Sequence, residues 1–423
     1  MKVTIINKSD STGGAAVVSR RLMEALRRQG VDARMLVVEK LSESPYIELA
    51  APSWKIKLEF LKERLKIYIA NGRNRNTLFQ IDTGETGLSL WRHPLVKQAD
   101  AVLLGWVNQG MLSLAGVRKI LELGKPVVWT MHDMWNLTGV CHHAHACTHY
   151  QYQCGDCFLL GKQSDPNDLS HRIWTRKSNL YNSPSGSRLH FVAVSSWLGR
   201  KGSESSLLGD KPVSVIPNPY DLTGSFPDMR RKAKNDKIKI LFGAARIDDP
   251  IKGLPVLKKM TEVLRREYPE TAEKTELSLF GNMKNPESLS GFEVPVRYLG
   301  ILKGGEVKKA YDNADIVVSA SSYETFPGTL VEAQAYGAIP VSFDRGGQGD
   351  IITHLKTGYL AEYSENPVQA AKNLAEGVDW AVSVLDSGQG YRKILSDMRE
   401  SVAKRFSYES VADSYIKLIR SLL

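Results

Sequence analysis

Hydrophobic positions along the chain form short apolar runs, and these alternate with longer segments whose apolar residues recur with helical spacing. The apolar runs have the length and the β-branched content of buried strands. They lie at 3–7, 33–38, 101–105, 126–130, 191–197, 213–219, 238–245, 277–280, 296–299, 315–322 and 339–343. Strands that alternate with helices are typical of parallel, doubly wound sheets, so the pattern predicts an α/β fold.

The chain is long enough for two such sheets. Its 423 residues exceed what one hydrophobic core normally organises, and two domains of about 200 residues each are expected. The strand and helix alternation pauses at the polar, charged segment 225–237 and starts again at 238. This segment is predicted to be the edge of a linker.

The stretch 323–332, Tyr-Glu-Thr-Phe-Pro-Gly-Thr-Leu-Val-Glu, reads as the loop and helix that follow a buried strand. Proline suits a first helical turn, so a helix is predicted to open at Pro327. Amides of that turn lack intrahelical partners and favour phosphate binding. Glu324 and Glu332 would flank this site, one meeting a sugar and the other a ribose. The predicted amide donors are those of Gly328, Thr329 and Leu330.

Other charged or flexible residues also follow predicted strands. Ligands of parallel sheets bind beyond the carboxyl ends of the strands. His132 follows the strand at 127–130, and Arg246 and Lys252 follow the strand at 238–245. The two cations are suited to neutralise a departing diphosphate. Gly13 and Gly14 form a turn after the first strand that would let backbone approach a ligand closely.

These motifs resemble a known family. Glu324, seven intervening residues and Glu332, preceded by an arginine and then Lys-Gly, resemble the signature of family-four retaining nucleotide-sugar glycosyltransferases of the GT-B fold. The segment 129–157, where Trp-Thr-x-His-Asp-Met-Trp precedes a cysteine- and histidine-rich loop, resembles more narrowly a bacterial subgroup. That subgroup builds colanic-acid-type, capsular or related surface polysaccharides.

The resemblance implies two Rossmann-like domains facing across a cleft. The N-terminal, acceptor-side domain would span 1–222 and the nucleotide-sugar domain 223–405, with the amphipathic segment 406–423 returning to the first. Family members usually carry glycine where this chain has Pro219, in the inter-domain linker. The implied reaction moves a sugar from a nucleotide-diphosphate sugar to a growing surface-polysaccharide or lipid-linked oligosaccharide acceptor.

The resemblance also implies roles for individual residues. Glu332 would bind the ribose hydroxyls, Glu324 the sugar hydroxyls, and His132 the donor sugar near the reacting carbon. Arg246 and Lys252 would hold the diphosphate, with Gly13 and Gly14 near the phosphates and the acceptor. Retention implies that the acceptor attacks from the leaving-group side, with the diphosphate taking its proton.

A catalytic metal is not expected, because the chain has no Asp-x-Asp pair to hold a diphosphate-bound cation. A structural metal is a separate matter. All four cysteines lie within seventeen residues and four histidines lie among them, which is the ligand set of a structural zinc site. Reduced or redox-active thiols are the alternative. The predicted zinc ligands are Cys141, Cys147, Cys154 and Cys157.

The net charge of +10 favours acidic partners. Basic and apolar residues interleave most densely at 54–75, which predicts either an interfacial membrane helix or a core-packing helix with a solvated basic face. No charged segment followed by a long apolar core opens the chain, and no apolar run reaches a membrane span. A cytoplasmic location is therefore expected, with peripheral contact at the inner face of the membrane.

Two other functions remain open at this point. One is a synthase or hydrolase that acts on a nucleotide sugar. The other is a basic, zinc-clipped protein that binds nucleic acid or anionic lipid. Nucleic acid is not expected as a partner, because the chain lacks aromatic-rich basic strands and a zinc-finger helix at the usual spacing.

Overall fold

The computed structural model describes residues 1–226 and 237–423, which form two compact units. One unit consists of Met1–Pro219 and Tyr408–Leu423, and the other of Tyr220–Ser407. Each unit has its own parallel sheet and its own core. Most of the polar segment expected to be a linker, 225–237, lies outside the described residues.

The first unit contains a seven-stranded sheet in the order β3-β2-β1-β4-β5-β6-β7, and all its strand pairs are parallel. Strand order reverses between β1 and β4, as in a doubly wound sheet. The strands are β1 (Lys2–Ile6), β2 (Asp32–Val37), β3 (Ile47–Leu49), β4 (Ala101–Leu104), β5 (Val127–Met131), β6 (Leu189–Ala193) and β7 (Val213–Val215). The helices before residue 220 are α1 (Gly14–Arg28), α2 (Ser53–Ala70), α3 (Pro94–Gln98), α4 (Leu114–Leu121), α5 (Leu169–Tyr181) and α6 (Ser196–Glu204).

The second unit repeats this design with six parallel strands in the order β10-β9-β8-β11-β12-β13. Here the order reverses between β8 and β11. Its strands are β8 (Ile238–Arg246), β9 (Thr275–Asn282), β10 (Val296–Tyr298), β11 (Ile316–Ser319), β12 (Ile339–Phe343) and β13 (Tyr359–Ala361). Its helices are α7 (Leu254–Glu267), α8 (Pro269–Lys274), α9 (Gly305–Asn313), α10 (Gly328–Ala335), α11 (Pro367–Asp386) and α12 (Gln389–Phe406).

The last helix, α13 (Tyr408–Leu422), belongs to the first unit. Its apolar face joins the core formed by β1, β2 and α1, where Val411, Tyr415 and Ile419 are almost fully buried. The Tyr415 hydroxyl lies 2.9 Å from the Thr130 hydroxyl of β5. The chain therefore returns to complete the core of the unit in which it began.

The α/β organisation with two parallel sheets, predicted from the strand and helix alternation, is confirmed. Two edge strands of three residues each, β3 and β13, were not anticipated, because such short runs carry little periodicity. In the described part of the chain, no helix combines the length and apolarity needed to cross a membrane.

Candidate functional site

The best-defined charged site lies in the second unit, at the carboxyl ends of β8 and β11. These strands are neighbours in the sheet, and the strand order reverses between them. Ligands of doubly wound sheets bind in the crevice that this reversal creates. Arg246 is the last residue of β8, and Glu324 lies in the loop that follows β11.

Lys252 reaches this crevice from a tight turn at Pro250–Lys252. The next residue, Gly253, has φ +73°, and a Cβ there would collide with the carbonyl oxygen of Ala320 at the end of β11. The Ser322 amide also donates to the Ile251 carbonyl at 2.9 Å. The loop after β8 is thus packed against the loop after β11, and the Lys252 Nζ lies 2.6 Å from Glu324 Oε1.

Arg246 is oriented by two carboxylates of its own loop. Its Nη2 donates to Asp249 Oδ2 at 2.7 Å, and its Nε lies 3.5 Å from Asp248 Oδ1. Asp248 is fixed in turn by the amides of Lys284 and Asn285, at 2.8 and 3.1 Å. The guanidinium side chain keeps 35% of its exposure, so it is pre-positioned and still accessible to an anion.

The backbone of Glu324 is held by the loop after β12. The Gly347 amide donates to the Glu324 carbonyl at 3.0 Å. Gly346 has φ +119°, and a Cβ there would collide with the same carbonyl oxygen. The loops after three neighbouring strands of the sheet, β8, β11 and β12, therefore meet at Glu324.

Helix α10 begins at Gly328, with Pro327 as its N-cap. The sequence predicted that the helix opens at Pro327, and in the structure it begins one residue later. The Leu330 amide, also expected to bind the ligand, donates to the Pro327 carbonyl at 3.1 Å in the structure. Gly328 and Thr329 are the first two helical residues, whose amides have no intrahelical acceptor. Glu332 follows one turn later and is partly exposed.

In the first unit, Gly13 and Gly14 lie where they were expected, between β1 and α1. Gly13 is the N-cap of α1 with φ +89°, a conformation that favours glycine. Both glycines are exposed, and a Cβ at either would meet nothing within 4 Å. The start of α1 is therefore an open helix end that backbone or a ligand can approach.

His132 follows β5 directly, beside a charged network that sequence reasoning missed. His142 bridges two carboxylates, with Nδ1 2.7 Å from Asp133 Oδ2 and Nε2 2.8 Å from Asp82 Oδ2. Arg64 pairs with the other oxygen of Asp82. The indole nitrogen of Trp106, after β4, donates to Asp133 at 2.9 Å. Asp82 and His142 are far from any predicted strand end, so no periodic signal marked them.

Burial and this network set the protonation of the two histidines in opposite directions. Burial lowers the pKa of His132 to about 4, against a smaller opposing effect of Asp133. Burial would also lower the pKa of His142, but the neighbouring Asp133 and Asp82 outweigh it and raise that pKa. His132 is therefore neutral at pH 7, while His142 carries a proton between its two carboxylates.

The cysteine-rich loop contains four free thiols, of which Cys141, Cys154 and Cys157 are buried. Burial raises the pKa of Cys154 to about 12 and also raises that of Cys141, where the three other thiols add to the effect. The donor chemistry suits zinc, but in residues 1–226 and 237–423 no group of three or more His, Cys, Asp or Glu has an arrangement that could hold a metal ion. The zinc site stays a prediction.

The residues expected to act together thus fall into two sets. Lys252 and Glu324 are in direct contact, and Arg246 and α10 belong to the same unit. Gly13, Gly14, His132 and the cysteines belong to the other unit.

Comparisons with known proteins identify relatives of this chain, and the family match lies within the second unit. Residues 225–383 match the family described as "Glycosyl transferases group 1". An uncharacterized glycosyltransferase of Methanocaldococcus jannaschii, MJ1607, is 28% identical over 172 residues, which cover 38% of this chain and 42% of the relative. WcaC of Escherichia coli, a putative colanic acid biosynthesis glycosyl transferase, is 25% identical over 282 residues, which cover 63% of this chain and 62% of WcaC. The matches thus span about half the length of these relatives.

Among solved structures, HepE of Anabaena in complex with UDP aligns over 100% of both chains, with a TM-score of 0.59 and 14% identity. At this identity the likeness concerns the fold alone. Two Rossmann-like units, each with a parallel sheet, together with this likeness establish an α/β fold of the GT-B class.

Proposed function

We propose that this chain, whose residues 225–383 match the family of group 1 glycosyl transferases, is a retaining glycosyltransferase. It moves a sugar from a nucleotide-diphosphate sugar to a surface-polysaccharide or lipid-linked oligosaccharide acceptor, and it needs no metal for catalysis. The observation that carries the proposal is the contact between Lys252 and Glu324 at the crevice between β8 and β11. A cation and a carboxylate there suit a diphosphate and a sugar, respectively.

Donor binding is assigned to the second unit. Arg246 and Lys252 bind the diphosphate. Their attraction to it becomes stronger as the leaving group accumulates negative charge. The amides of Gly328 and Thr329 add the positive end of a helix dipole. Glu332 accepts hydrogen bonds from the ribose hydroxyls. Glu324, released from Lys252 or sharing it with the phosphate, binds the sugar hydroxyls.

The acceptor is assigned to the first unit, where Gly13 and Gly14 form the open start of α1. His132 lines the reacting face in its neutral form, which its lowered pKa favours at physiological pH. The acceptor hydroxyl forms the new bond on the side from which the diphosphate leaves, and a diphosphate oxygen takes its proton. This step rests on resemblance to family-four enzymes.

The acceptor class rests on the likeness to WcaC, whose name assigns it to colanic acid biosynthesis. If the acceptor is the lipid-linked oligosaccharide proposed above, the reaction takes place at the inner face of the membrane.

Melting temperature in the presence of nucleoside diphosphates tests the donor site. A ligand that binds only the folded protein stabilises it, by about 2.7 kcal/mol at a concentration one hundred times its dissociation constant. UDP, GDP, ADP, CDP and TDP are compared on the wild type, Arg246→Ala and Glu332→Ala. One diphosphate is expected to raise the melting temperature of the wild type, and both variants should lose most of the shift.

Glu262→Ala is the matched control, because Glu262 is an exposed glutamate on α7 of the same unit. If no diphosphate raises the melting temperature, the donor site is wrong and the basic binding protein becomes the better hypothesis. Steep loss of nucleic-acid affinity with salt would then be the observation to seek.

Two further measurements address the remaining parts of the proposal. The anomeric configuration of the product, read by proton NMR, must equal that of the donor if the enzyme retains. The zinc content of protein purified without chelators tests whether the cysteine cluster binds a metal. About one zinc per chain in the wild type, and loss of this zinc in Cys154→Ser, would support a structural site.

A further inference from the structure

Helix α2 turns an apolar stripe toward solvent. Its side chains recur at intervals of three and four residues, so they follow one line along the 18-residue helix. Their exposure ranges from 44% to 65%, which is unusual for large apolar side chains that share a face. The stripe consists of Trp54, Leu58, Leu61, Leu65 and Ile69.

The opposite face of α2 packs against the first unit and combines the fully buried Ile67 with two buried charged residues, Glu63 and Arg64. Glu63 is fully buried, and its carboxylate accepts hydrogen bonds from the Thr83 amide and hydroxyl, both at 2.7 Å, and from the Thr86 hydroxyl at 2.9 Å. Arg64 is 6% exposed and pairs with Asp82. The helix is therefore attached through the hydrogen bonds of Glu63, the ion pair of Arg64 and the buried side chain of Ile67. Rotating it to bury the stripe would break these bonds, so the stripe is not a displaced core face.

Lysines border the stripe on both sides. At 100° per residue, Lys55, Lys62 and Lys66 lie along one border and Lys57 along the other. All four are exposed. An apolar stripe with lysines at its margins is the pattern of a helix that lies in the plane of a membrane surface.

A surface groove extends the apolar area beyond the helix. It has a volume of about 620 Å³ and shares Trp54 and Leu58 with the stripe. Leu88 and Leu90 line its other side, and Lys55 and Arg92 lie at its margin. The groove and the stripe together form one apolar surface edged by cations.

We infer that α2 docks the protein on an anionic lipid bilayer, with the stripe at the boundary of the acyl chains and the lysines at the headgroups. Charge complementarity favours this occupant over a second copy of the chain. A two-fold pairing of α2 with itself would bring two sets of lysines together, whereas anionic headgroups neutralise them. The docking stands independently of the activity proposed above.

The inference also connects the membrane to the working edge of the first unit. Arg64, on the inward face of α2, pairs with Asp82. His142 bridges Asp82 and Asp133, and Asp133 is next to His132 in the chain. If the proposed function holds, an acceptor on a lipid carrier would thus meet the first unit near its carboxyl edge.

Vesicle co-sedimentation of the full-length protein tests the inference. Vesicles of phosphatidylcholine alone are compared with vesicles containing about 30% phosphatidylglycerol, an anionic lipid that attracts cationic helices. The protein is expected to pellet with the anionic vesicles at least about tenfold more strongly, and less at about 0.5 M salt because screening weakens the attraction. Leu61→Ser/Leu65→Ser should abolish binding, and Lys55→Glu/Lys62→Glu should abolish the preference for anionic vesicles.

Ile301→Ser/Leu355→Ser is the matched control, since these exposed residues, at 59% and 50%, lie in the other unit and should leave binding unchanged. Equal binding by the Leu61/Leu65 variant and the wild type overturns the inference, as does a wild type that stays in the supernatant. A wild-type dimer in sedimentation equilibrium that Leu61→Ser/Leu65→Ser dissociates would assign the stripe to self-association instead. The melting response to diphosphates should persist in every α2 variant, so failure here leaves the donor site standing.

Discussion

At the scale of single residues, Lys252 is the side chain on which the donor assignment depends most directly. Its ammonium group contacts Glu324 at 2.6 Å, and both side chains keep part of their exposure, 30% and 19%. A pair with this exposure contributes little to folding, about 1 kcal/mol or less. The position of the pair at the crevice is better explained by ligand binding, in which an anionic ligand replaces Glu324 beside the Lys252 ammonium group.

We therefore predict that Lys252→Ala lowers kcat/KM by about 100- to 1,000-fold, as expected for removal of a charge that stabilises the leaving group. The free energy of unfolding should change by less than about 1 kcal/mol. Steady-state kinetics with the donor found in the melting panel, together with urea denaturation, measure the two effects.

Lys274→Ala is the control for this substitution. Lys274 forms a similar ion pair, 2.8 Å from Asp386, on the surface of the same unit. It should leave kcat/KM within about twofold of the wild type, because surface pairs are worth little. Equal losses in the two variants would show that Lys252 acts through general charge and not at the site.

His132 gives a pH dependence whose sign follows from its pKa. Because the folded protein holds this pKa near 4 and the unfolded chain has about 6.5, acid protonates the unfolded state first. Stability linked to His132 is therefore fully present above pH 6.5 and is lost as the pH falls toward 4. By pH 5 the loss is about 2 kcal/mol at most.

We predict that the wild type loses more stability between pH 7 and 5 than His132→Gln does. Urea denaturation at each pH, with the wild type and the variant in parallel, measures the difference. Parallel stability curves would contradict a lowered pKa of His132 in the folded protein.

Residue-level reasoning from sequence succeeded where chemistry coincided with a strand end. Arg246 ends β8 and Glu324 follows β11, and the loops after the two strands are in contact in the structure. It failed for Asp82 and His142, which reach the edge of the sheet only through the irregular segments around them. Their approach depends on tertiary packing with Arg64 of α2, which no local pattern encodes.

At the scale of elements, the crevice depends on how closely the turn after β8 can approach β11. Gly253 has a left-handed conformation, and the space where a Cβ would stand is filled by the Ala320 carbonyl. A side chain here costs backbone strain and also pushes two loops apart. Lys252 would move with its turn.

We predict that Gly253→Ala destabilises the protein by more than about 3 kcal/mol, the sum of a strained φ and the collision. The melting shift caused by the diphosphate should fall as well. Gly300→Ala provides the comparison, because Gly300 has φ +75° and open space around the Cβ position.

Gly300→Ala should lower the free energy of unfolding only by the backbone strain, about 1 to 2 kcal/mol, and its melting temperature should still respond to the diphosphate. If both variants lose equal stability and both respond normally to the diphosphate, the contact between the two loops has no role in the site.

The element scale also shows what patterning can and cannot decide. The periodicity and composition of 54–75 predicted a helix but did not decide whether it lies at a membrane surface or packs on a core. Interleaved lysine and leucine are compatible with both environments. In the structure the inward face carries the buried Glu63 and Arg64 beside Ile67, and Leu58, Leu61 and Leu65 lie on the exposed face. Burial of polar residues requires partners from the segment around Thr83, and sequence spacing carries no trace of those contacts.

At the scale of the whole molecule, the two units differ in how the chain builds them. The second is one continuous segment, Tyr220–Ser407, with a core of its own. The first needs residues from both ends of the chain. Helix α13 supplies to its core six side chains that are no more than 8% exposed, namely Tyr408, Val411, Ala412, Tyr415, Ile416 and Ile419.

We predict that a chain ending at Ser407 loses the first unit and keeps the second. Burying a large apolar side chain stabilises a protein by about 1.5 to 3 kcal/mol, so loss of the five large side chains of α13 costs about 7.5 to 15 kcal/mol, which is comparable with the 5 to 15 kcal/mol that holds a typical domain together. Calorimetry should show a smaller unfolding enthalpy for the truncated chain.

The diphosphate should still raise the melting temperature of what remains, because Arg246, Lys252, Glu324 and Glu332 all belong to the continuous unit. A chain lacking only Leu423, which is 65% exposed, serves as the control and should melt like the full-length protein. If truncation at Ser407 instead abolishes the diphosphate response while the second unit remains folded, donor binding requires residues of the first unit, and the assignment of the donor to the second unit alone is wrong.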